Sequence, residues 1–382
     1  MASDLEYMAK AIQLAKKGLY TTSPNPRVGC ILVKNDTIIG QGFHIKAGEG
    51  HAEVNAIADA KQRGNDTRGA TAYVTLEPCS HFGRTPPCSQ GLIDAGITRV
   101  VGAMTDPNPE VAGNGFNMLR DAGIDVVDNC LVAESAKLNP GFIKRMSFAG
   151  MNKAALPYVR LKMATSLDGR TAMQSGESQW ITGPEARAEV QRIRAQSCAI
   201  ICGADSVLID DPSMNVRIKA DGMIEPRQPL RIIIDSQHRI TADAKIFTLA
   251  GNIMIASPNR PSVKITSKYC DVSYLETPAQ IGDNSQQVNL SGLLELLAKQ
   301  GVNEVLIETG AKLAGAFVEQ NLVDELILFT APTLLGSGAR PAFNLPFTKM
   351  DQQIRWAWHD VRMVGNDLKL VLKSQTGFNE KP

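Results

Sequence analysis

His51 is separated by one alanine from the carboxylate of Glu53, and downstream come two thiols, Cys79 and Cys88, each preceded by a proline. One imidazole and two thiolates make three protein ligands for zinc, which leaves a fourth position for a water whose pKa falls toward neutrality on binding. Glu53 is expected to face that open position rather than the metal, and to carry protons from the water to a departing amine. His, Cys, Cys and a nearby glutamate form the ligand and acid/base set of zinc deaminases. The spacing departs from the usual two residues between cysteines, because eight intervene between Cys79 and Cys88. A closed zinc knot with His81 as fourth ligand is the alternative; it needs no Glu53 and usually draws its ligands from tighter clusters.

These residues need a scaffold. Val28 to Val33, Ile38 to Phe43, Ala70 to Leu76 and Arg99 to Met104 are predicted strands, with helices after His51, after Cys88 and over Asn114 to Ala122. Helix starts at His51 and Cys88 put exposed N–H groups beside the ligands and favour thiolate over thiol. Ser3 and Glu6 form a capping-box pattern before Leu5, Met8, Ala9 and Ile12, and Gly18 is the expected end of that helix. The stretch Lys144 to Leu156 lacks periodicity, so residues 1–147 are taken as one domain, 148–156 as a linker and 157–382 as a second domain. The second series of strands is predicted over Val159 to Met163, Cys198 to Cys202, Leu230 to Ile234, Asn252 to Ala256, Glu304 to Glu308 and Glu325 to Thr330. Helices are expected near Glu185 to Ala195 and Leu293 to Lys299. Thr182 with Glu185 is a capping-box pattern, Pro184 suits a first turn, and Ala186, Val190 and Ile193 form an apolar stripe. Val305 to Ile307 runs into Gly310 and a helical pattern, a turn able to receive phosphate on bare N–H groups, although Gly310 and Gly315 make no GxGxxG fingerprint.

The chain has 382 residues, which suits two cores, and 40 basic against 39 acidic residues, which favours neither nucleic acid nor an anionic membrane. A nucleic-acid deaminase would share the zinc site but need a basic track and stacking aromatics, and aromatics are only 5% here. A non-catalytic zinc scaffold leaves Glu53 and the whole second half without a purpose. Seven cysteines without a secretory signal read as reduced thiols in a cytoplasmic protein. Of these, Cys30, Cys198 and Cys202 sit in apolar runs and are expected to be buried. No apolar stretch approaches the roughly 20 residues that span a bilayer.

The run from Cys79 to Cys88, with Ser23-Pro24-Asn25-Pro26-Arg27-Val28-Gly29 before it and Asp106-Pro107-Asn108-Pro109 after it, resembles the deaminase half of the bacterial bifunctional riboflavin-biosynthesis enzymes. Leu161 to Arg170, Ser178 to Thr182, Val207 to Pro212, Ile234-Asp235-Ser236 and Glu308-Thr309-Gly310 resemble, in order, the reductase half of the same family. The resemblance implies an α/β chain: a cytidine-deaminase-like α/β/α layered domain followed by a dihydrofolate-reductase-like α/β domain. It also implies one Zn2+ per chain, NADPH, and a phosphorylated pyrimidine as substrate. The ring amine leaves first, and the ribosyl group is then reduced to ribityl. By position it makes Asn25, His44, His81, Arg84, Asp106 and Asn108 candidates for holding ring or phosphate in the first domain, with His44 and His81 equally readable as structural histidines. In the second it assigns Lys162, Ser178, Arg194, Met214, Arg217 and Glu308 to substrate. Ala164, Trp180, Ser206, Asp210, Ser236 and the run Gly310, Ala311, Lys312, Leu313, Ala314, Gly315 and Ala316 are assigned to NADPH. Asp168 is equally a proton-handling and a turn residue. Likeness to dimeric reductases implies a homo-oligomer formed through the second domain, of unspecified subunit number. Nothing in the residues selects NADP over NAD: Arg239 and Arg260 are both able to meet a 2′-phosphate, and neither lies in a discriminating pattern.

Overall fold

The computed structural model describes residues 3–80, 86–109, 111–150, 154–218, 226–280 and 286–375. The chain divides into two compact units, Met1–Ala155 and Leu156–Pro382.

The first unit runs α1 (Asp4–Ala15), β1 (Gly29–Lys34), β2 (Thr37–Phe43), α2 (Ala52–Gln62), β3 (Thr71–Val74), α3 (Cys88–Asp94), β4 (Arg99–Gly102), α4 (Asn114–Asp121), β5 (Asp125–Val127), α5 (Val132–Ala136) and α6 (Pro140–Gly150). The sheet order is β2-β1-β3-β4-β5. β1 is antiparallel to both neighbours, whereas β3, β4 and β5 are parallel. Side-chain alternation splits β1 between two cores: Cys30 and Leu32 join α2, α3 and α4 on one face, and Ile31 and Val33 join α1 on the other. Three layers follow from that split. The Ser3–Glu6 box caps α1, whose α-helical part stops at Ala15; a 3₁₀ turn carries it to Gly18. Glycine on β2 sets the height of α2, since a Cβ at Gly42 would lie 2.3 Å from the Ala56 backbone nitrogen. The predicted linker is partly helical: α6 continues to Gly150, with Phe142, Ile143 and Met146 half-buried along one side.

The second unit runs β6 (Tyr158–Ser166), β7 (Arg170–Ala172), α7 (Pro184–Gln196), β8 (Ala199–Gly203), α8 (Ala204–Asp210), β9 (Leu230–Ile234), β10 (Ile253–Ser257), β11 (Val272–Glu276), α9 (Leu290–Lys299), β12 (Glu304–Glu308), α10 (Ala311–Glu319), β13 (Glu325–Ala331), β14 (Arg340–Pro341), β15 (Trp356–Val364) and β16 (Asp367–Ser374). Nine strands form one sheet in the order β11-β10-β9-β8-β12-β6-β13-β16-β15. The seven from β11 to β13 are parallel, and β16 and β15 close the sheet antiparallel. Both faces of the parallel part are covered: Ile201 packs with α9 and α10, and Ile200 and Cys202 with α7 and α8. Because β12 inserts late between β8 and β6, the strand order reverses there, and the carboxyl ends of these three strands open a crevice.

One sequence expectation fails in this unit, and one pair of strands carries no sequence expectation. The N-cap of α7 is Gly183, not Thr182, because Pro184 occupies the first helical position. The Gly183 N–H is satisfied by Asp367 Oδ2 at 2.7 Å, from the start of β16. The β15–β16 hairpin was not anticipated; β15 is an edge strand with Trp358, Val361 and Met363 exposed, so its pattern reads as neither buried nor alternating.

Two candidate active sites

In the first unit, His51 is the N-cap of α2, with extended backbone, and Cys88 is the first residue of α3. Cys79 is held against α3 by Ser89, whose hydroxyl donates to the carbonyls of Pro78 and Cys79 at 3.1 Å each. The result is a tight group: His51 Nδ1 is 3.2 Å from Cys88 Sγ and 3.7 Å from Cys79 Sγ. Tetrahedral zinc with Zn–S of about 2.3 Å and Zn–N of about 2.0–2.1 Å requires N···S separations of about 3.6 Å, so the donors fit. Among the described residues, this is the one group of three or more His, Cys, Asp or Glu with metal-binding spacing.

The electrostatics match that ligand set. Cys79 is pulled down to about 4, first by its hydrogen bond with the Cys88 thiol and then with His51, so it is the first of the pair to ionise. The Cys88 N–H also donates to Cys79 Sγ at 3.3 Å. Cys88 is pushed up, because it holds the proton shared with Cys79 and is desolvated. Glu53, in the first turn of α2, is 3% exposed, and burial raises its pKa. Its Oε2 is buried without a hydrogen-bond partner, as expected of a carboxylate oxygen that waits for a proton from a ligand.

His44 is part of the same site. Its ring lies edge-on to His51 with centroids 5.4 Å apart, Nδ1 is 3.1 Å from the Gly50 carbonyl, and Nε2 is 3.1 Å from Asn25 Nδ2. That pairing assigns the Nδ1–H tautomer, with Nε2 accepting from the Asn25 amide. Burial lowers the His44 pKa, which favours the neutral ring. Asp106 and Asn108 sit in a loop organised by Glu77. Its two carboxylate oxygens accept from the N–H groups of Asp106 and Gly113 at 2.9 Å and of Gly115 at 2.7 Å. Asp106 Oδ1 in turn accepts from the Asn108 N–H at 2.8 Å. Glu77 and Ser89 act through the backbone of distant loops, and no local pattern marked either. His81 and Arg84 lie outside the described residues.

In the second unit, a cavity of about 980 Å³ lies at the carboxyl ends of the central strands. Lys162, Ser178, Arg194, Met214 and Glu308 face it, as do Ala164, Trp180, Ser206, Asp210 and Ser236. At its base Arg194 grips Glu308 with two bonds, Nε–Oε1 at 2.6 Å and Nη2–Oε2 at 2.8 Å, while Nη1 donates to the Asn215 carbonyl at 3.2 Å. Burial alone opposes both charges, but each outweighs it for the other, so Arg194 is raised and Glu308 lowered. Lys162 pairs with Glu308 in the β6–β12 register. Its burial lowers its pKa against the pull of Glu308.

The assigned residues stand differently toward this cavity. Arg194 lines the cavity with its guanidinium engaged by Glu308 and Asn215. Arg217 is absent from the cavity lining; it is exposed, and its guanidinium donates to Ser213 and to Asn215 Oδ1. The run from Gly310 to Ala316 is split by helical periodicity. Gly310, Ala311, Lys312, Leu313 and Ala316 line the cavity, whereas Ala314 is fully buried in the core and a Cβ on Gly315 would lie 2.1 Å from the Asn344 carbonyl oxygen. Gly310 is the N-cap of α10, and a Cβ there would meet nothing within 4 Å. The open space before unpaired first-turn N–H groups fits a dinucleotide's phosphates.

Asp168 belongs to a turn. Its carboxylate accepts from the Ser166 hydroxyl and from the N–H groups of Leu335 at 3.2 Å and Gly336 at 2.8 Å. The Ser166 bond, followed by those backbone donors, holds its pKa at about 2, below the ordinary 3.8. A depressed folded-state pKa stabilises the fold above the unfolded value and loses that contribution as pH falls through the folded one. Asp168→Ala is therefore expected to lower the melting temperature at neutral pH, with the gap to wild type closing between pH 4 and 2, while reduction by the folded protein persists. Thermal melts across that range check it.

Residues 157–370 match the family model described as RibD C-terminal domain, and residues 1–104 match that of the cytidine and deoxycytidylate deaminase zinc-binding region. Riboflavin biosynthesis protein RibD of Haemophilus influenzae is 46% identical over 379 residues, covering 97% of each chain. The protein of that name from Escherichia coli is 46% identical over 378 residues, covering 97% of this chain and 99% of its own. Among solved structures, Acinetobacter baumannii RibD superposes with a TM-score of 0.86 at 46% identity, over 97% of this chain and 99% of that one. A diaminohydroxyphosphoribosylaminopyrimidine deaminase/5-amino-6-(5-phosphoribosylamino)uracil reductase from Thermotoga maritima gives 0.84 at 31% identity, covering 97% and 98%.

Proposed function

Because the chain belongs to the RibD family of riboflavin biosynthesis proteins, we propose that the residues grouped above carry that family's two reactions, one in each unit. The chain is a bifunctional zinc-dependent deaminase and NADPH-dependent reductase. It removes the ring amine of 2,5-diamino-6-(5-phosphoribosylamino)pyrimidin-4-one and then reduces the ribosyl group of the product, giving 5-amino-6-(5-phosphoribitylamino)uracil. The observation that carries the residue assignment is the convergence of His51, Cys79 and Cys88 beside the unpartnered Oε2 of Glu53.

When bound, zinc supplies Lewis-acid activation of water and NADPH supplies the hydride. His51, Cys79 and Cys88 would hold the metal. Glu53 takes a proton at Oε2 and returns it to the leaving amine, so that water oxygen replaces nitrogen on the ring and ammonia departs. His44 and Asn25 present a fixed donor/acceptor pair beside the metal ligands, suited to orienting the ring. In the second unit, Glu308, held by Arg194, offers its carboxylate to sugar hydroxyls. Lys162 beside it provides the ammonium for sugar contact at the carbon that receives hydride. Gly310 to Leu313 receive the cofactor's phosphates on backbone N–H groups.

Cys88→Ser tests the division of labour. Ammonia release and zinc content should both fall, while NADPH oxidation with already deaminated substrate continues; loss of both activities would contradict separate sites. Cleavage of the gene between the codons for Ala155 and Leu156, the division between the compact units, should give two soluble fragments with one activity each. A cut after residue 147 would remove the last turn of α6.

We also propose self-association through the second unit. It is supported by the exposed Trp358, Val361 and Met363 on edge strand β15. Light scattering of Trp358→Glu checks it, with a smaller species expected. No helix among the described residues is long and apolar enough to cross a membrane. A cytoplasmic location is proposed on the reading of the seven cysteines as reduced thiols.

A further inference from the structure

Arg239 lines the reductase cavity, and what it does there depends on that cavity taking a nicotinamide dinucleotide, a premise that rests on the reading above. The cavity has a direction. The free N–H groups of α10 stand at the end of β12 and take the pyrophosphate; the charged group of Lys162, Glu308 and Arg194 marks the reacting end. The opposite end, beyond β8 and β9, is left for the adenosine.

The segment after β9 is shaped by Asp235, 2% exposed, whose carboxylate accepts from the N–H groups of Arg239 at 3.1 Å and Ile240 at 2.9 Å. His238 takes a left-handed conformation, φ +53°, and the chain folds back. Arg239 thereby lies on the cavity rim, with Nη2 donating to Asp205 Oδ1 at 2.6 Å across the mouth. Beside it the Ser236 oxygen accepts from the Val288 N–H at 3.2 Å, so the hydroxyl proton is left for another acceptor.

Four arginines line the described cavity, and two of the three besides Arg239 are engaged elsewhere. Arg187 lies over the Trp180 ring and donates to the Thr182 carbonyl, Arg194 is locked to Glu308, and Arg340 lies against Gly176. Arg239 has an exposed carboxylate as its partner, with side chains 44% and 61% exposed. Such a pair is weak, and a phosphate dianion that takes both arms of the guanidinium displaces it. Asp205 left alone would repel that phosphate and accept a ribose hydroxyl instead, the NAD-type arrangement.

We propose that Arg239, with Ser236 beside it, binds the 2′-phosphate of NADPH and selects it over NADH. Calorimetry on the full chain with adenosine 2′,5′-bisphosphate and with AMP reads this without turnover. Arg239→Ala should weaken the bisphosphate about 10- to 100-fold, the loss of one or two charged hydrogen bonds, and leave AMP unchanged. Arg239→Lys should fall between, because charge survives and the fork does not. The NADPH and NADH KM values should converge in the alanine variant. Equal weakening of both nucleotides, or an unchanged bisphosphate affinity, would overturn the assignment. Wild-type protein that binds neither nucleotide would overturn the cofactor reading and this assignment with it.

Discussion

Glu53→Gln should lower ammonia release about 10²–10⁴-fold, the usual range for a lost acid/base group, with zinc content unchanged. Glutamine keeps the volume and polarity of the side chain, and Glu53 is 3% exposed, so a change in size would disturb α2. What it lacks is a site that takes a proton at Oε2, an atom that no protein group satisfies. The ligands behave differently: His51→Ala and Cys79→Ser should lower the metal content itself. Elemental analysis separates the two classes, and zinc loss in Glu53→Gln would make that residue a ligand.

The second large effect is expected at Gly310. Its backbone, φ −79°, is open to any residue, and a Cβ there meets nothing, so Gly310→Val should fold with a normal melting temperature. The added branches occupy the space before the first-turn N–H groups of α10, where phosphates must approach. NADPH affinity should fall at least about tenfold, the loss of one charged hydrogen bond or more, while deamination is untouched. Gly315→Val is the contrast, because its Cβ would collide with the Asn344 carbonyl. It should lower stability first, and any loss of binding should follow unfolding. NADPH fluorescence titration beside thermal melts distinguishes the pair.

The two sites differ in how much of them the sequence displayed. Zinc chemistry restricts ligand types so strongly that His51, Cys79, Cys88 and Glu53 stand out before any fold is known, and the helix starts at α2 and α3 lie where the ligands need them. Parallel strands buried on both faces read as short apolar runs, which is why β9 and β12 match expectation to the residue. Edge strand β15 carries no such run. Contacts between a side chain and a remote backbone leave no local trace: Glu77 on the α4 loop, Ser89 on the Cys79 loop and Asp367 on Gly183 were all missed. Pairing was also illegible. Arg194 and Glu308 read as two separate substrate contacts, because nothing in the sequence places one beside the other. Arg239 looked no better than Arg260, which the fold instead pairs with Glu276.

The most direct measurement follows ammonia release and NADPH oxidation together after the purified full-length chain is mixed with the diaminopyrimidine substrate. Ammonia should appear with or without NADPH, and NADPH oxidation should follow it with a lag that vanishes when deaminated substrate is supplied. Glu53→Gln should lengthen the lag without changing the rate on deaminated substrate. NADPH oxidation that precedes ammonia release, or ammonia release that requires NADPH, would contradict two independent sites acting in that order.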